Sequence, residues 1–197
     1  MSTTAATLPD SGTRERVLEA TIALLRRSGF SGAGINEILQ QSGAPKGSLY
    51  HYFPQGKRQI VNEALALYSE RVRALMDEAM AKADTPGEKV RRLFQLTAQR
   101  LEQSNFQQSC AGGAVSLDLD PELEVVRAVV VRFFEDTIEL IQRHFAFTDK
   151  RRARSFAGLL LTAIEGAYIR GRAEKSGRAF KDASIWLAEL AEREASK

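Results

Sequence analysis

The stretch 34–54 constrains the fold most, because two short helical patterns meet there at a glycine. Apolar residues recur at i, i+3 and i+4, which predicts an amphipathic helix over Ile35–Gln41. Ser42-Gly43 ends that helix, since glycine readily takes the left-handed conformation of a helix end. A second helix is predicted over Lys46–Phe53, with Pro45 in its first turn. Two short helices joined in this way form a helix-turn-helix.

The second helix of such a motif typically enters the major groove of DNA. Its outward face carries donors that suit phosphates and base edges, and Gly47 lets the backbone approach the groove. The predicted DNA-binding residues are Lys46, Gly47, Ser48, Tyr50, His51, Tyr52 and Lys57. The alternative is a solvated helical hairpin. The segment 38–62 contains no acidic residue, and together with the exposed aromatic residues this favours DNA.

The segment from Gly43 to Phe53, GAPKGSLYHYF, followed by Lys57, resembles the recognition segment of the TetR family of bacterial transcriptional regulators. The sequence of this segment is most similar to that of the LmrA/YxaF-like branch. The strong resemblance covers the first quarter to third of the chain, with weaker likeness around Cys110 and in Leu159–Glu174. It implies an all-α protein with an N-terminal three-helix DNA-binding module and a C-terminal domain for ligand binding and dimerisation. It also implies a homodimeric repressor that a small ligand releases from a palindromic operator, with Lys57 on a phosphate.

The composition fits a soluble globular protein, with 44% hydrophobic and 27% charged residues among 197. The net charge of +3 lies within residues 1–58, which hold seven Lys or Arg and four Asp or Glu. Residues 1–12 resemble a disordered arm rather than a signal peptide, and no apolar run is long enough to predict a membrane span. A lone Cys110 excludes an internal disulfide and fits a reducing cytoplasm. We therefore predict a cytoplasmic protein with a DNA-binding domain over 13–57 and a ligand-binding and dimerisation domain over 58–197.

Helical periodicity continues through the body. The further helices are predicted over Thr13–Ser28, Lys57–Ala83, Glu88–Glu102, Pro121–Phe145, Asp149–Lys175 and Lys181–Ala195. The segment Ser104–Asp120 is the least regular part. The helix from Lys57 would reach roughly 40 Å and connect both domains.

The two C-terminal helices carry much apolar surface. Phe156–Ile169 is interrupted only by Thr162 and Glu165, so it must be buried on more than one side. Either a homodimer interface or an ordinary monomer core would satisfy this pattern. Resemblance to a dimeric family favours the interface.

The body also carries enough large apolar residues to surround a ligand, although a filled core would have the same composition. The predicted ligand-binding residues are Tyr68, Leu75, Phe94, Gln99, Phe106, Cys110, Phe133, Phe134, Ile138, Phe156, Leu160, Ile164 and Glu165. A planar or bulky apolar compound would suit them. The family resemblance carries most of this prediction.

No catalytic or metal-binding pattern is found. The histidines are His51 and His144, and no Cys/His cluster has zinc-ligand spacing. We predict no metal, no cofactor and no enzymatic activity, with Cys110 packed as a small apolar residue. The rival function is a helical protein that binds small molecules without specific DNA recognition.

Overall fold

The computed structural model describes residues 11–196, and this part of the chain is all-helical. Its nine α-helices are α1 (Ser11–Ser28), α2 (Ile35–Ser42), α3 (Lys46–Tyr52), α4 (Lys57–Ala81), α5 (Pro86–Gln103), α6 (Ala111–Ser116), α7 (Glu124–Arg143), α8 (Lys150–Glu174) and α9 (Arg178–Ala195). The predicted all-α fold is confirmed. The predicted arm falls mainly on residues 1–10, outside the described part, and α1 begins at Ser11 rather than Thr13.

Helices α1, α2 and α3 form a small N-terminal head around a common core. The core residues of this head are wholly shielded from solvent and include Val17, Leu25, Ile38, Leu49 and Phe53. Gly43 ends α2 with a φ of 64°, and its N–H donates to the Leu39 carbonyl as expected of a left-handed helix end. Pro45 precedes α3 as its N-cap instead of lying in the first turn.

Helix α4 links the head to the body. It has 25 residues and is therefore about 37 Å long at 1.5 Å per residue. It packs against α1 in the head and against α5 and α7 in the body. The predicted helix extended to Ala83, but the chain leaves the helix after Ala81.

In the body, α4 packs on α5 and α7, while α8 packs on α5, α7 and α9, and α5 packs on α9. A capping box starts α5, in which the Thr85 hydroxyl accepts from the Glu88 N–H at 3.2 Å. Asp120 caps a short 3₁₀ turn, Pro121–Leu123, so α7 begins three residues later than predicted. Asp149 caps α8, its side chain accepting from the Arg151 and Arg152 N–H groups.

The segment Ser104–Asp120 contains α6, which the sequence did not predict. Gly112 and Gly113 lie inside this helix, where glycine usually weakens helix formation. A Cβ on Gly112 would collide with the Phe133 ring, and one on Gly113 would collide with the Glu165 carboxyl. The two glycines therefore allow α6 to pack closely on α7 and α8.

Among the described residues, no helix combines the length and hydrophobicity that crossing a membrane requires.

Candidate DNA-reading face and ligand cavities

The outer face of α3 groups the predicted DNA-binding side chains on one short helix. Lys46, Gly47 and His51 are exposed, and Tyr50 is 45% exposed. Ser48 and Tyr52 are half-buried at the edge of this face. A Cβ on Gly47 would meet no other atom within 4 Å, so the backbone there is open to an approaching ligand. The face offers amine, hydroxyl and imidazole donors without a nearby carboxylate on the same helix.

The opposite face of α3 anchors the helix in the head. Leu49 and Phe53 are fully buried, and the Phe53 N–H donates to the Leu49 carbonyl at 2.8 Å. The turn after α3 is held by Gln59, whose side-chain oxygen accepts from the Gln55 N–H at 3.0 Å. Gly56 adopts a φ of 68° there, which favours glycine. The reading face is thus carried by a rigid support.

Lys57 lies at the start of α4, whereas the other predicted DNA-binding residues lie on α3. Its Nζ is 4.0 Å from the centroid of the Phe30 ring, a cation–π distance. Burial lowers the pKa of this amine, while the Asp118 and Glu37 carboxylates oppose the shift. The structure therefore holds Lys57 against the loop after α1.

Arg14 and Arg26 of α1 have structural partners that the sequence did not reveal. Arg14 forms an ion pair with Glu63 of α4 and lies over the Phe53 ring, at 5.8 Å from its centroid. Arg26 donates from Nε to the Ser109 carbonyl at 3.0 Å. These two arginines join α1 to the rest of the chain.

A small inner cavity of about 20 Å³ lies in the body, which is room for about one water molecule. Six predicted ligand-binding residues line it: Tyr68, Leu75, Cys110, Phe133, Ile164 and Glu165. Arg100 also lines this cavity and was not predicted. Opening it to a larger molecule would require side chains to move.

A second, larger space of about 1110 Å³ is a groove between the end of α1, the segment 106–109, α6, α7 and α8. The predicted residues Phe106, Phe134, Ile138 and Glu165 line this groove. Leu161, Glu165 and Tyr168 line both spaces and follow one face of α8. They form the wall between the inner cavity and the groove.

Four predicted ligand-binding residues line neither space. Phe94 and Leu160 are fully buried in the core, and Gln99 is exposed. Phe156 packs against Phe145, with their ring centroids 5.1 Å apart. Hydrophobic pattern alone cannot separate such core residues from cavity walls.

Burial controls the ionisation of the wall. It raises the pKa of Glu165 to about 7, although a hydrogen bond with the Cys110 thiol acts in the opposite direction. Burial also raises the pKa of the Cys110 thiol and of both tyrosine hydroxyls, Tyr68 and Tyr168. The thiol and the hydroxyls are therefore neutral at physiological pH, and Glu165 is the wall residue that titrates near neutrality.

Hydrogen bonds join the end of α1 to the body beside the groove. The Ser109 N–H donates to the Arg26 carbonyl at 2.9 Å. The Ser31 N–H donates to Asp118 Oδ2, also at 2.9 Å. Because Ser109 and Asp118 line the groove, its contents would touch the head–body junction directly.

Helices α8 and α9 expose a patch of large apolar side chains. Leu159 and Ile169 of α8 are 46% and 65% exposed, and Ile185 and Trp186 of α9 are 48% and 70% exposed. Gly166 on the same side of α8 has no atom within 4 Å of an added Cβ. An apolar patch of this kind is typical of an interaction surface.

Within residues 11–196, no group of three or more His, Cys, Asp or Glu is arranged to hold a metal ion.

Two family models match the chain. The model for bacterial regulatory proteins of the tetR family matches residues 17–64. The model for the C-terminal domain of LmrA/YxaF-like transcriptional regulators matches residues 86–185. The two matches fall on the head with the start of α4, and on the body.

Known proteins resemble the chain over most of its length. The uncharacterized HTH-type transcriptional regulator Rv0196 of Mycobacterium tuberculosis H37Rv is 31% identical, over 83% of this chain and 86% of its own. The HTH-type transcriptional regulator LmrA of Bacillus subtilis 168 is 24% identical, over 91% of this chain and 97% of its own.

A solved structure shares the fold. It is a cysteine mutant of the TetR family transcriptional regulator CifR in complex with 26-bp double-strand operator DNA. It superimposes with a TM-score of 0.80 at 19% identity, covering 92% of this chain and 98% of its own.

Proposed function

The chain belongs to the TetR family of bacterial transcriptional regulators, in its LmrA/YxaF-like group, and we propose that it is a homodimeric repressor released from a palindromic operator by a small ligand. The matching families and relatives are transcriptional regulators, not enzymes. The exposed donor face of α3 is the observation that carries the DNA-binding part of the proposal.

On this proposal, α3 lies in the major groove. Lys46 and His51 contact base edges, and Tyr50 and Tyr52 position the helix on phosphates. Lys57 adds a positive charge close to the sugar–phosphate backbone of the DNA. Because Leu49 and Phe53 fix the opposite side of α3 in the core, the donors keep a defined orientation toward DNA.

Two copies of the chain associate through α8 and α9. The apolar patch that contains Leu159, Ile169 and Trp186 supports this arrangement, because it costs free energy to leave it in water. Gly166 leaves room for a partner helix to approach. A two-fold dimer presents its α3 helices symmetrically, so the operator is an imperfect palindrome.

The effector occupies the groove rather than the inner cavity. A drug-sized ligand needs a space of roughly 300–1000 Å³, which the groove can supply and the inner cavity cannot. The apolar rings of Phe106 and Phe134 would contact a planar or bulky compound.

Ligand binding must favour a form of the dimer that no longer fits the operator. The ligand therefore binds the DNA-free form more tightly, and DNA weakens ligand binding by the same factor. Helix α4 carries Tyr68 and Leu75 on the inner cavity and extends to the head, so a movement of the wall residues tilts α4 and separates the two heads.

Selection of genomic DNA fragments by the purified protein tests this function. We expect a shared, imperfectly palindromic sequence whose retention decreases with added salt. Retention of random fragments with no common sequence would reject specific recognition and favour the rival, a helical protein that binds small molecules only.

A further inference from the structure

We propose that the groove binds an apolar compound with an anionic end, and that the guanidinium groups of Arg27 and Arg172 hold that end. This inference rests on the proposed ligand-responsive function and specifies the chemical class of its ligand.

The groove presents a large apolar side chain to solvent on one side. Leu117 at the end of α6 lines the groove and is 81% exposed. Phe134 and Ile138 of α7 are half-buried on its inner side. A ligand body that covers these side chains would be apolar.

Two cationic side chains line the same groove without a carboxylate partner. Arg172 donates from Nη2 to the Arg27 carbonyl at 3.1 Å and from Nη1 to the Ser109 hydroxyl at 3.5 Å, which are neutral acceptors. Among residues 11–196, neither Arg172 nor Arg27 forms an ion pair. A guanidinium group binds a carboxylate or sulfonate through paired, charge-assisted hydrogen bonds, so both arginines suit an anion.

The acidic groups that face the groove do not offset this positive charge fully. Asp118 already accepts the Ser31 N–H at 2.9 Å. Glu165 has a pKa of about 7 because of burial, so its carboxyl is more than half protonated below that pH. The Tyr168 hydroxyl is neutral because burial raises its pKa. A cationic ligand would face two guanidinium groups instead.

Because the two arginines lie on different parts of the chain, an anion bound to both would link the head to the body. Arg27 belongs to α1 of the head, and Arg172 belongs to α8 of the body. An anion that contacts both therefore bridges the head–body junction, where Arg172 also contacts the Arg27 carbonyl. Ligand binding would change the contacts that set the angle of α1.

A matched pair of fluorescent probes tests the charge preference. Anilinonaphthalenesulfonate carries an apolar ring system and a sulfonate, and phenylnaphthylamine has the same rings without the charge. We expect the wild-type dimer to bind the sulfonate about tenfold more tightly than the neutral probe. Arg27→Gln and Arg172→Gln should each remove most of this tenfold difference in affinity and leave the affinity for phenylnaphthylamine unchanged.

The control variant is Arg170→Gln. Arg170 lies on the same helix, does not line the groove and pairs with Glu174. It should keep the full preference for the sulfonate. Arg27 is an exposed side chain without an ion pair, so Arg27→Gln preserves folding even if loss of Arg172 weakens the junction.

Equal binding of both probes, or unchanged sulfonate affinity in both groove variants, would overturn the inference. The second outcome would place the probe elsewhere, for example on the apolar patch of α8 and α9. Addition of the sulfonate to the protein–DNA complex separates this inference from the proposed function. If the arginine-dependent preference is found and saturating probe leaves the DNA bound, the anion site is correct and release by ligand is wrong for this probe class.

Discussion

Glu165 illustrates how one carboxyl links the stability of the protein to pH. Its pKa rises from 4.5 to about 7 on burial, so the folded state binds a proton that the unfolded state has lost over this interval. Stability therefore decreases as pH rises from 4.5 through about 7. Glu165→Gln removes this decrease, and the variant should gain on the order of 1–3 kcal/mol relative to wild type between about pH 5 and pH 8.

Urea unfolding at several pH values measures this effect. The matched control is Glu139→Gln, since Glu139 is exposed on α7 and lines neither cavity. The free energy of unfolding of Glu139→Gln should change with pH as that of the wild type does. If the free energies of unfolding of the wild type and of Glu165→Gln change with pH in parallel, the carboxyl of Glu165 does not titrate between about pH 5 and pH 8.

Lys46 and His51 are expected to determine sequence preference. Both project from the exposed face of α3, where they can donate to base edges in the major groove. Lys46→Ala or His51→Ala should relax the preference at particular base pairs by roughly 1–3 kcal/mol each. Selection from a randomised operator library measures this, and an unchanged consensus would assign the residue to phosphate contact instead.

Lys57 should affect affinity without affecting specificity. Its amine belongs to α4 and lies over the Phe30 ring, outside the α3 face, and from the family resemblance we expect it to contact a phosphate instead of a base edge. Lys57→Ala should weaken all operator variants similarly and lower the slope of log affinity against log salt by about one unit. A loss that differs strongly between operator variants would mean that Lys57 reads bases.

The residue scale also shows where sequence reasoning stops. Gly43 was assigned correctly, because a local turn determines its role. Phe94 and Phe133 have the same side chain, yet only Phe133 lines a cavity. The difference arises from which helices surround each ring, and the local sequence does not predict these neighbours.

At the scale of one element, α8 packs one face on the core and leaves the other exposed, and we expect a second subunit to cover the exposed face. Gly166→Arg should give monomers that bind DNA much more weakly, since the open space over Gly166 means that arginine disturbs only a partner helix. Light scattering measures the mass. Ala128→Arg on the exposed side of α7 is the control and should remain dimeric.

A wild-type protein that is already monomeric at micromolar concentration would contradict the proposal that the chain forms a homodimer.

Most elements were predictable to within a few residues, and α6 was not. Capping by Asp149 and the periodicity of α8 are local features, so the sequence indicates them directly. The Gly112–Gly113 pair predicts a break for the same local reason. Its actual role, to admit Phe133 and Glu165, depends on residues far along the chain.

At the scale of the whole molecule, the division into the two predicted domains stays a prediction, and the sequence did not indicate the junction between head and body. The junction uses main-chain atoms of Arg26 and Ser31 together with the Arg26 side chain, and none of these forms a recognisable motif. The groove follows from the junction, because α1 forms one of its walls. This explains why the sequence did not indicate Arg27, Arg172 and Asp118 as residues that line the groove.

The groove and the apolar patch also share α8. Gly158, Thr162 and Ile169 line the groove and lie on the side of α8 that bears the patch. A partner subunit on this patch would lie along the open edge of the groove. Dimerisation and ligand entry are therefore expected to influence each other.

The junction bears on the construction of hybrid biosensors, in which the body of one regulator is fused to the head of another. Backbone groups of the head supply much of this contact, through the Arg26 carbonyl and the Ser31 N–H, so a transplanted head can reproduce it with few matched side chains. Gly29 is an exception, since its φ is 66° and a Cβ there would lie 2.9 Å from the Ala114 carbonyl oxygen. A donor head that carries glycine at this position and arginine at positions 26 and 27 is expected to transmit the ligand signal of this body to a new operator, whereas a head without the glycine would have to shift α6.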